Sequence, residues 1–273
     1  MVFSKDAFKF KWKKAFCQIE SSNNAQARIV EILAINQNDH EFEYYPFNYK
    51  QLYLEFASIN DDNEGEITKF VERYGFLHSK YENTENYLSA DELQTLNHPR
   101  KRRRAIEKRP QWELIDTFTK EMKEMKELIE DWTLLQNKNS FQDITSLKAE
   151  YKALGYKEDT SNTLAKNTQL LCQARLQLGI NNKLKYINPM LIPSHKSNSY
   201  NGFSFEWNVR NLLDAMYIMF AMDITENKLM RKCQNETCSR YFTIEGNDKR
   251  KIYCSNGCAR AQAQREYRKR KGE

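Results

Sequence analysis

The chain has 273 residues, of which 40% are apolar, 29% charged and 12% aromatic, with only 8 Gly and 5 Pro. This composition excludes a collagen-like or low-complexity chain, is too apolar for intrinsic disorder, and points to a helix-rich protein with a real core. The net charge of +6 is unevenly placed: Arg231 to Glu273 hold 12 Lys/Arg against 5 Asp/Glu, whereas the preceding 230 residues hold 31 basic and 32 acidic groups. Such asymmetry points to a polyanionic partner for the C-terminal end alone.

No apolar run is long enough to span a membrane, and the opening MVFSKDAFKFKWKKAF lacks the apolar stretch and cleavage site of a signal peptide. The expected compartment is the cytoplasm, with no membrane partner. Thiols stay reduced there, so clustered cysteines read as metal ligands rather than disulfides.

Residues 1–50 are rich in aromatics, with polar breaks at ESSNN and NQNDH. FEYYPFNY reads as extended, because Pro46 excludes a helix interior, and short strands or irregular packing are expected. LYLEFASINDDNEGEITKFVERYGFLH reads as two short helices. Ile67, Phe70, Val71 and Tyr74 share one buried face; Asp62 or Asn63 can cap the second helix and Gly75 can end it. NHPRKRRRAIEKRPQ places seven basic residues between Arg100 and Arg109, along with two prolines. It is expected to be a solvated loop or linker, with a second phosphate-contacting patch as the alternative.

A long helix follows. Ile115, Phe118, Met122, Met125, Ile129 and Trp132 alternate steps of three and four, the seam of about two and a half heptads. A helix packed inside the domain is expected, and a homodimer through the 111–135 helix is the alternative. ITSLKAEYKALG and TSNTLAKNTQLLCQARLQLG read as two more helices, each closed by glycine. Cys172 shares an apolar face with Leu171 and Leu176, and both it and Cys17 read as inert core. KYINPMLIPS and YNGFSFEW look extended, as a hairpin or a small sheet edge. NVRNLLDAMYIMFAMDI returns to helix, with Val209, Leu212, Leu213, Met216, Met219 and Phe220 on one side.

The remaining four cysteines form Cys233-x4-Cys238, a spacer of fifteen residues, then Cys254-x3-Cys258. Two close pairs at that separation are the layout of a structural Zn²⁺ site, in which four soft sulfurs take one tetrahedral ion. Chance clustering and a redox pair are the competing readings, and a Cys-x-x-Cys redox motif is absent. The spacer RYFTIEGNDKRKIYC reads as strand, turn, strand, with a turn around Gly246 and a return at Ile252 and Tyr253. SNGCARAQAQREYRKRK then reads as a helix capped by Ser255 or Asn256. A cysteine pair, a hairpin and a second pair at a helix start make a treble-clef-like arrangement.

On the final helix, Ala259, Ala263 and Tyr267 are expected to face the metal core. Arg260, Gln264 and Arg268 form a neighbouring ridge, flanked by Arg265, Lys269, Arg270 and Lys271. Arg and Gln can read base edges as well as phosphates, so these seven residues are the expected nucleic-acid contacts. A merely solvated basic terminus is the plainer alternative.

In Cys233, Cys238, Cys254, Cys258, Phe242 and the basic helix after Cys258, the chain resembles bacterial CGNR-type zinc-finger proteins with a helical N-terminal domain. YLEFASIN…ITKFVERYGFL and NLLDAMYIMFAMDI also resemble that group, so the likeness touches about half of the chain, although only the cysteine framework is specific. Cys258 is followed by Ala-Arg-Ala rather than by Gly-Asn-Arg, so the name-giving tripeptide is not matched. The resemblance implies a DNA-binding transcription regulator whose N-terminal domain is a sensor or assembly part.

The expected fold is mainly α with a few short strands (α+β) and a C-terminal zinc finger of a β-hairpin plus helix. The expected domains are 1–228, helix-rich, and 229–273, the finger with its basic helix. The expected function is zinc-dependent binding of nucleic acid, DNA favoured over RNA, and not catalysis. An RNA-binding or protein-interaction module is the alternative, RNA being favoured if Tyr241, Phe242 or Tyr253 are exposed for stacking. A nuclease is the weaker reading: His40, His78, His98 and His195 are scattered, and no nucleophile motif or phosphate loop is present.

Overall fold

A computed structural model describes residues 10–24, 27–78, 88–107, 111–136, 161–193, 203–245 and 250–271. In chain order its strands are β1 (Phe10–Asn24), β2 (Ala27–Tyr44), β3 (Trp112–Leu114), β4 (Pro189–Pro193), β5 (Phe203–Trp207), β6 (Leu229–Lys232) and β7 (Tyr241–Ile244). Its helices are α1 (Leu52–Ala57), α2 (Glu64–Tyr74), α3 (Ala90–Thr95), α4 (Pro99–Glu107), α5 (Ile115–Gln136), α6 (Ser161–Leu184), α7 (Leu212–Thr225) and α8 (Asn256–Lys271). The fold is mainly helical with small antiparallel sheets, so α+β holds. No described helix is long and apolar enough to cross a membrane.

The chain forms two compact units. One takes Met1–Leu52, Ile59–Met122 and Tyr186–Met219; the other takes Tyr53–Ser58, Lys123–Lys185 and Phe220–Glu273. The 229–273 segment therefore shares its unit with helical segments from earlier in the chain.

The first unit opens on the β1–β2 hairpin, with registers from Phe10↔Tyr44 to Asn24↔Ala27 and irregularities between Lys13 and Ala15 and between Phe16 and Cys17. These strands are 15 and 18 residues long, not short. Both run through the polar stretches expected to break them, because the ladder is made by the main chain and tolerates polar side chains. Extended chain reaches Tyr44, after which Pro46 opens a 3₁₀ turn over Pro46–Asn48. β3 adds to β2 with Ile32 opposite Glu113. Glu113 is buried, and its carboxylate accepts the Leu77 N–H at 3.1 Å and meets His78 Nδ1 at 2.5 Å.

In α2 the expected face is buried through Ile67, Phe70, Val71 and Tyr74, Asn63 caps the start through the Glu66 N–H, and Gly75 ends it at φ 99°. The Phe70 ring packs 5.0 Å from Tyr74 and 6.0 Å from Phe118. The basic stretch is corrected from loop to helix over its described part: α4 covers Pro99–Glu107, with Pro at its first position, where its missing N–H costs nothing, and Lys108 and Arg109 lie outside the described residues. β4 and β5 pair antiparallel from Pro189↔Trp207 to Pro193↔Phe203, as the sequence suggests.

In α5, Phe118, Met122, Met125 and Ile129 of the seam are buried within the chain, while Ile115 and Trp132 are half-buried. α7 is buried on every side from Leu212 to Phe220, not along one stripe, and Val209 lies ahead of it.

In the second unit, α6 runs through Gly179 to Leu184. The glycine does not end the helix. A Cβ there would meet a Leu128 methyl at 2.9 Å, so the missing side chain permits a close approach to α5. Cys172 and Leu176 are buried, but Leu171 is exposed. The ITSLKAEYKALG helix lies outside the described residues. Asp131 is buried and paired with Arg175 at 2.5 Å. The Tyr53 hydroxyl donates to Asp223 at 2.6 Å and its ring packs 5.3 Å from Phe220.

Candidate metal centre

The first cysteine pair is carried by a hairpin other than the expected one. β7 pairs with β6, the strand before Cys233, with Leu229↔Ile244 and Lys232↔Tyr241 as its ends. Ile252 and Tyr253 form no return strand; the turn around Gly246 lies outside the described residues. Cys233 and Cys238 thus occupy the connection between two paired strands. The Cys233 N–H donates to the Arg240 carbonyl at 2.9 Å, and the Cys238 N–H donates to that of Asn235 at 2.8 Å. The returning chain is tied through its carbonyls, that of Ile252 accepting the Gln234 N–H at 3.0 Å and that of Lys251 accepting the Arg231 guanidinium at 3.1 Å.

The second pair arrives on a helix start. Ser255 caps α8 by accepting the Cys258 N–H on its hydroxyl at 3.2 Å, which places Cys258 in the first turn. That turn carries unsatisfied amides and the positive end of the helix dipole, both of which favour a thiolate.

The four sulfurs all lie within 4.8 Å of one another. Cys254 Sγ is 3.4 Å from Cys258 Sγ and 3.8 Å from Cys238 Sγ. Zn–S bonds of about 2.3 Å in a tetrahedron place sulfurs about 3.8 Å apart, so the cluster is of the size one such ion needs. The Cys254 N–H points at Cys233 Sγ at 3.4 Å, a bond that supports a thiolate from the outer layer of a metal site. Among the described residues this is the one group able to hold a metal ion.

The thiols differ electrostatically. Burial, ahead of the neighbouring thiols, pushes Cys254 up to about 12, and burial likewise raises Cys238. The Ser255 hydroxyl, followed by Cys254, lowers Cys258 to about 7. Thiolates at Cys238 and Cys254 are therefore formed only at a cost that a cation would offset.

A small core surrounds the sulfurs. Cys233, Phe242 and Ile244 are buried together, with Leu229 and Tyr253 packed against them. Alternation along β7 turns Tyr241 the other way: its N–H donates to Ser58 Oγ at 3.0 Å and its hydroxyl to Glu130 at 2.6 Å. The Ser239 hydroxyl donates to the Ser58 carbonyl at 3.0 Å. Tyr241 and Phe242 are thus buried and structurally committed, and Tyr253 is half-buried.

The inner face of α8 differs from the expected one. Ala263 is exposed, Tyr267 is 54% exposed, and Ala259 is half-buried. The inward residues are polar. Gln262, 5% exposed, accepts the Glu236 N–H at 3.2 Å. Arg265 donates to Asn235 at 2.6 Å, Gln262 at 3.0 Å and Thr237 at 2.6 Å. Asn235 in turn donates to the Cys258 carbonyl at 3.3 Å. This network clamps the 235–237 loop of the first cysteine pair to the helix that bears Cys258. Sequence reasoning missed Asn235, Thr237 and Gln262; their signal was polar side chains between and just after cysteines, which also suits an exposed loop.

The seven expected contact residues separate accordingly. Arg265 is engaged with Asn235, Thr237 and Gln262, and Lys269 pairs with Glu236 at 3.1 Å. Arg270 Nε donates to the Glu266 carbonyl at 3.3 Å, and the Lys271 ammonium lies 4.9 Å from the Tyr267 ring centroid. Arg260, Gln264 and Arg268 are exposed at i, i+4, i+8, and Lys271 continues the same outward arc.

No family model, no curated protein and no solved structure matches this chain.

Proposed function

We propose that the chain is a zinc-dependent nucleic-acid-binding protein, a DNA-binding transcription regulator whose C-terminal finger makes the contact. The observation that carries this reading is one helix with two jobs. The first turn of α8 holds a cysteine of the four-sulfur cluster, and its outward arc presents Arg260, Gln264, Arg268 and Lys271. Cys233, Cys238, Cys254 and Cys258 would hold Zn²⁺, which suits four sulfurs with no open position and supplies folding energy rather than catalysis. A knuckle on a hairpin followed by a helix-borne pair is treble-clef-like. A doubly negative metal–thiolate centre offsets part of the nearby positive charge, and the outward arc lies on the side of α8 away from Gln262.

DNA is favoured over single-stranded RNA because aromatics that would stack on bases are already committed: Phe242 is buried in the core beside the sulfurs, and Tyr241 is buried on the opposite face with its hydroxyl on Glu130. Arg and Gln on an outward helix face suit phosphate contact and base-edge contact in a groove. The test is titration of labelled random-sequence duplex DNA and single-stranded RNA with the full chain, zinc-loaded and zinc-stripped. Zinc-loaded protein is expected to bind duplex more tightly than RNA, and stripping is expected to weaken duplex binding at least tenfold. Equal binding by stripped protein, or no binding by loaded protein, overturns the reading.

A further inference from the structure

Remote in sequence from the finger, cationic side chains are gathered on α4. Arg100 to Arg104 are five consecutive basic residues, and the first turn carries no acidic residue. A block of like charge is ordinarily solvated and unstructured; here it is helical and fixed from beneath. Ile106, 2% exposed, packs with Leu88 in a cluster joined by Leu93, Leu96, Ala105 and Trp112. Arg102 lies on that inner side, its guanidinium donating to the Leu93 carbonyl at 2.7 Å and the Leu96 carbonyl at 2.8 Å at the end of α3. The helical period then places Arg100 and Arg104 together on the opposite face, with Lys101 beside them, and all three are exposed. No ion pair or side-chain hydrogen bond joins these three side chains to another described residue.

This arrangement is unfavourable for the helix by itself. Cations crowd its N-terminal turn, the positive end of the dipole, and Arg100 and Arg104 repel at i, i+4. A polyanion laid on the outer face relieves both. A lipid surface fits less well, because an interfacial helix needs large apolar side chains on the face it inserts, and among the described residues the exposed large hydrophobics lie elsewhere, at Leu170, Leu171, Leu178, Tyr186 and Tyr267.

We infer that α4 is a second nucleic-acid contact surface, engaging backbone phosphates through Arg100, Lys101 and Arg104 while Arg102 anchors the helix. The contact is a phosphate contact without base reading, so it adds affinity and salt sensitivity rather than sequence preference. It rests on the charge and packing of α4 and not on the metal centre.

The test compares the full zinc-loaded chain with two variants on a short random-sequence DNA duplex across a salt series. In the first, Arg100, Lys101 and Arg104 are each replaced by Gln; in the second, Arg260 and Arg268 are. The α4 variant is expected to bind at least tenfold more weakly at low salt, with the log–log salt slope shallower by roughly 0.9 for each phosphate no longer neutralised. Replacing Arg100 and Arg104 by Lys keeps the charge and is expected to keep the slope, which separates phosphate binding from misfolding. An α4 variant with unchanged affinity and slope overturns the inference; if the finger variant is weakened in the same experiment, the proposed function stands. Weakening of the α4 variant alone upholds the inference and overturns the assignment of the finger arc. Wild-type protein that binds only anionic phosphatidylserine vesicles, or neither partner, overturns both.

Discussion

The finger and α7 are held together in opposite ways. From Leu212 to Phe220, α7 is buried on every side, and its apolar content is enough to specify where it belongs. α8 has 16 residues and buries one of them, Gln262. What organises the finger is four sulfurs, two apolar side chains of β7 and the polar clamp around Arg265. A segment with so few buried apolar side chains of its own gains little from burial to offset its ordering entropy, and a metal held by the four sulfurs would add to what its packing against the rest of its unit supplies. Apolar patterning therefore tells a reader where α7 goes, and ligand spacing tells where α8 goes.

The largest effect that could break this contrast is metal removal. With zinc on the four cysteines as proposed, chelation, or Cys254→Ala, is expected to withdraw a contribution of roughly 10–16 kcal/mol. Hydrogen exchange is expected to show β7 and α8 losing protection while α2 and the β1–β2 hairpin keep theirs; full protection of α8 after stripping would show that the finger has a sufficient core of its own.

Next is Phe220→Ala, which empties a fully buried site against Tyr53. A loss of about 3–5 kcal/mol is expected in urea unfolding, with the four-cysteine site still taking up one zinc. Failure to take up zinc would show that the finger depends on the helical core.

The smallest is an alkaline effect. Burial raises the hydroxyls of Tyr44 and Tyr53, and burial followed by Glu130 raises that of Tyr241, all well above the ordinary value. The folded state thus holds protons that the unfolded chain releases near pH 10. Stability is complete below that pH and falls above it, by up to about 1.4 kcal/mol per pH unit for each tyrosine. Urea unfolding of zinc-loaded protein at pH 9, 10 and 11 is expected to show this slope, and Tyr53→Phe is expected to reduce it by about one tyrosine's share; an unaltered slope removes Tyr53 from the account.

Legibility in the sequence followed the same division. The face, cap and terminating glycine of α2, the β4–β5 pair and the four-cysteine grouping could be read directly, because period, capping chemistry and ligand spacing are local. The partner of β7 could not. Leu229–Lys232 is too short to announce a strand and lies on the far side of the first cysteine. Gly179 misleads because a glycine that ends a helix and one that lets a neighbour approach look alike until Leu128 is seen above it. α4 misleads because a run of Arg suggests solvent, whereas Arg102 and Ile106 tie it down through residues of α3 and beyond. Ala259, Ala263 and Tyr267 look like an inward face on apolarity alone, but the inward contacts are hydrogen bonds from Gln262 and Arg265.

Ser58 has a consequence for the order of assembly. Its hydroxyl and carbonyl receive Tyr241 and Ser239, residues 183 and 181 positions later in the chain. During synthesis Ser58 emerges long before these partners, and it must be met by water or another group until Ser239 and Tyr241 have followed. Closing so long a loop is slow. The 229–273 segment is therefore expected to dock late, so that a nascent chain arrested shortly before Cys254 has formed its early helices but still lacks two of the four clustered cysteines.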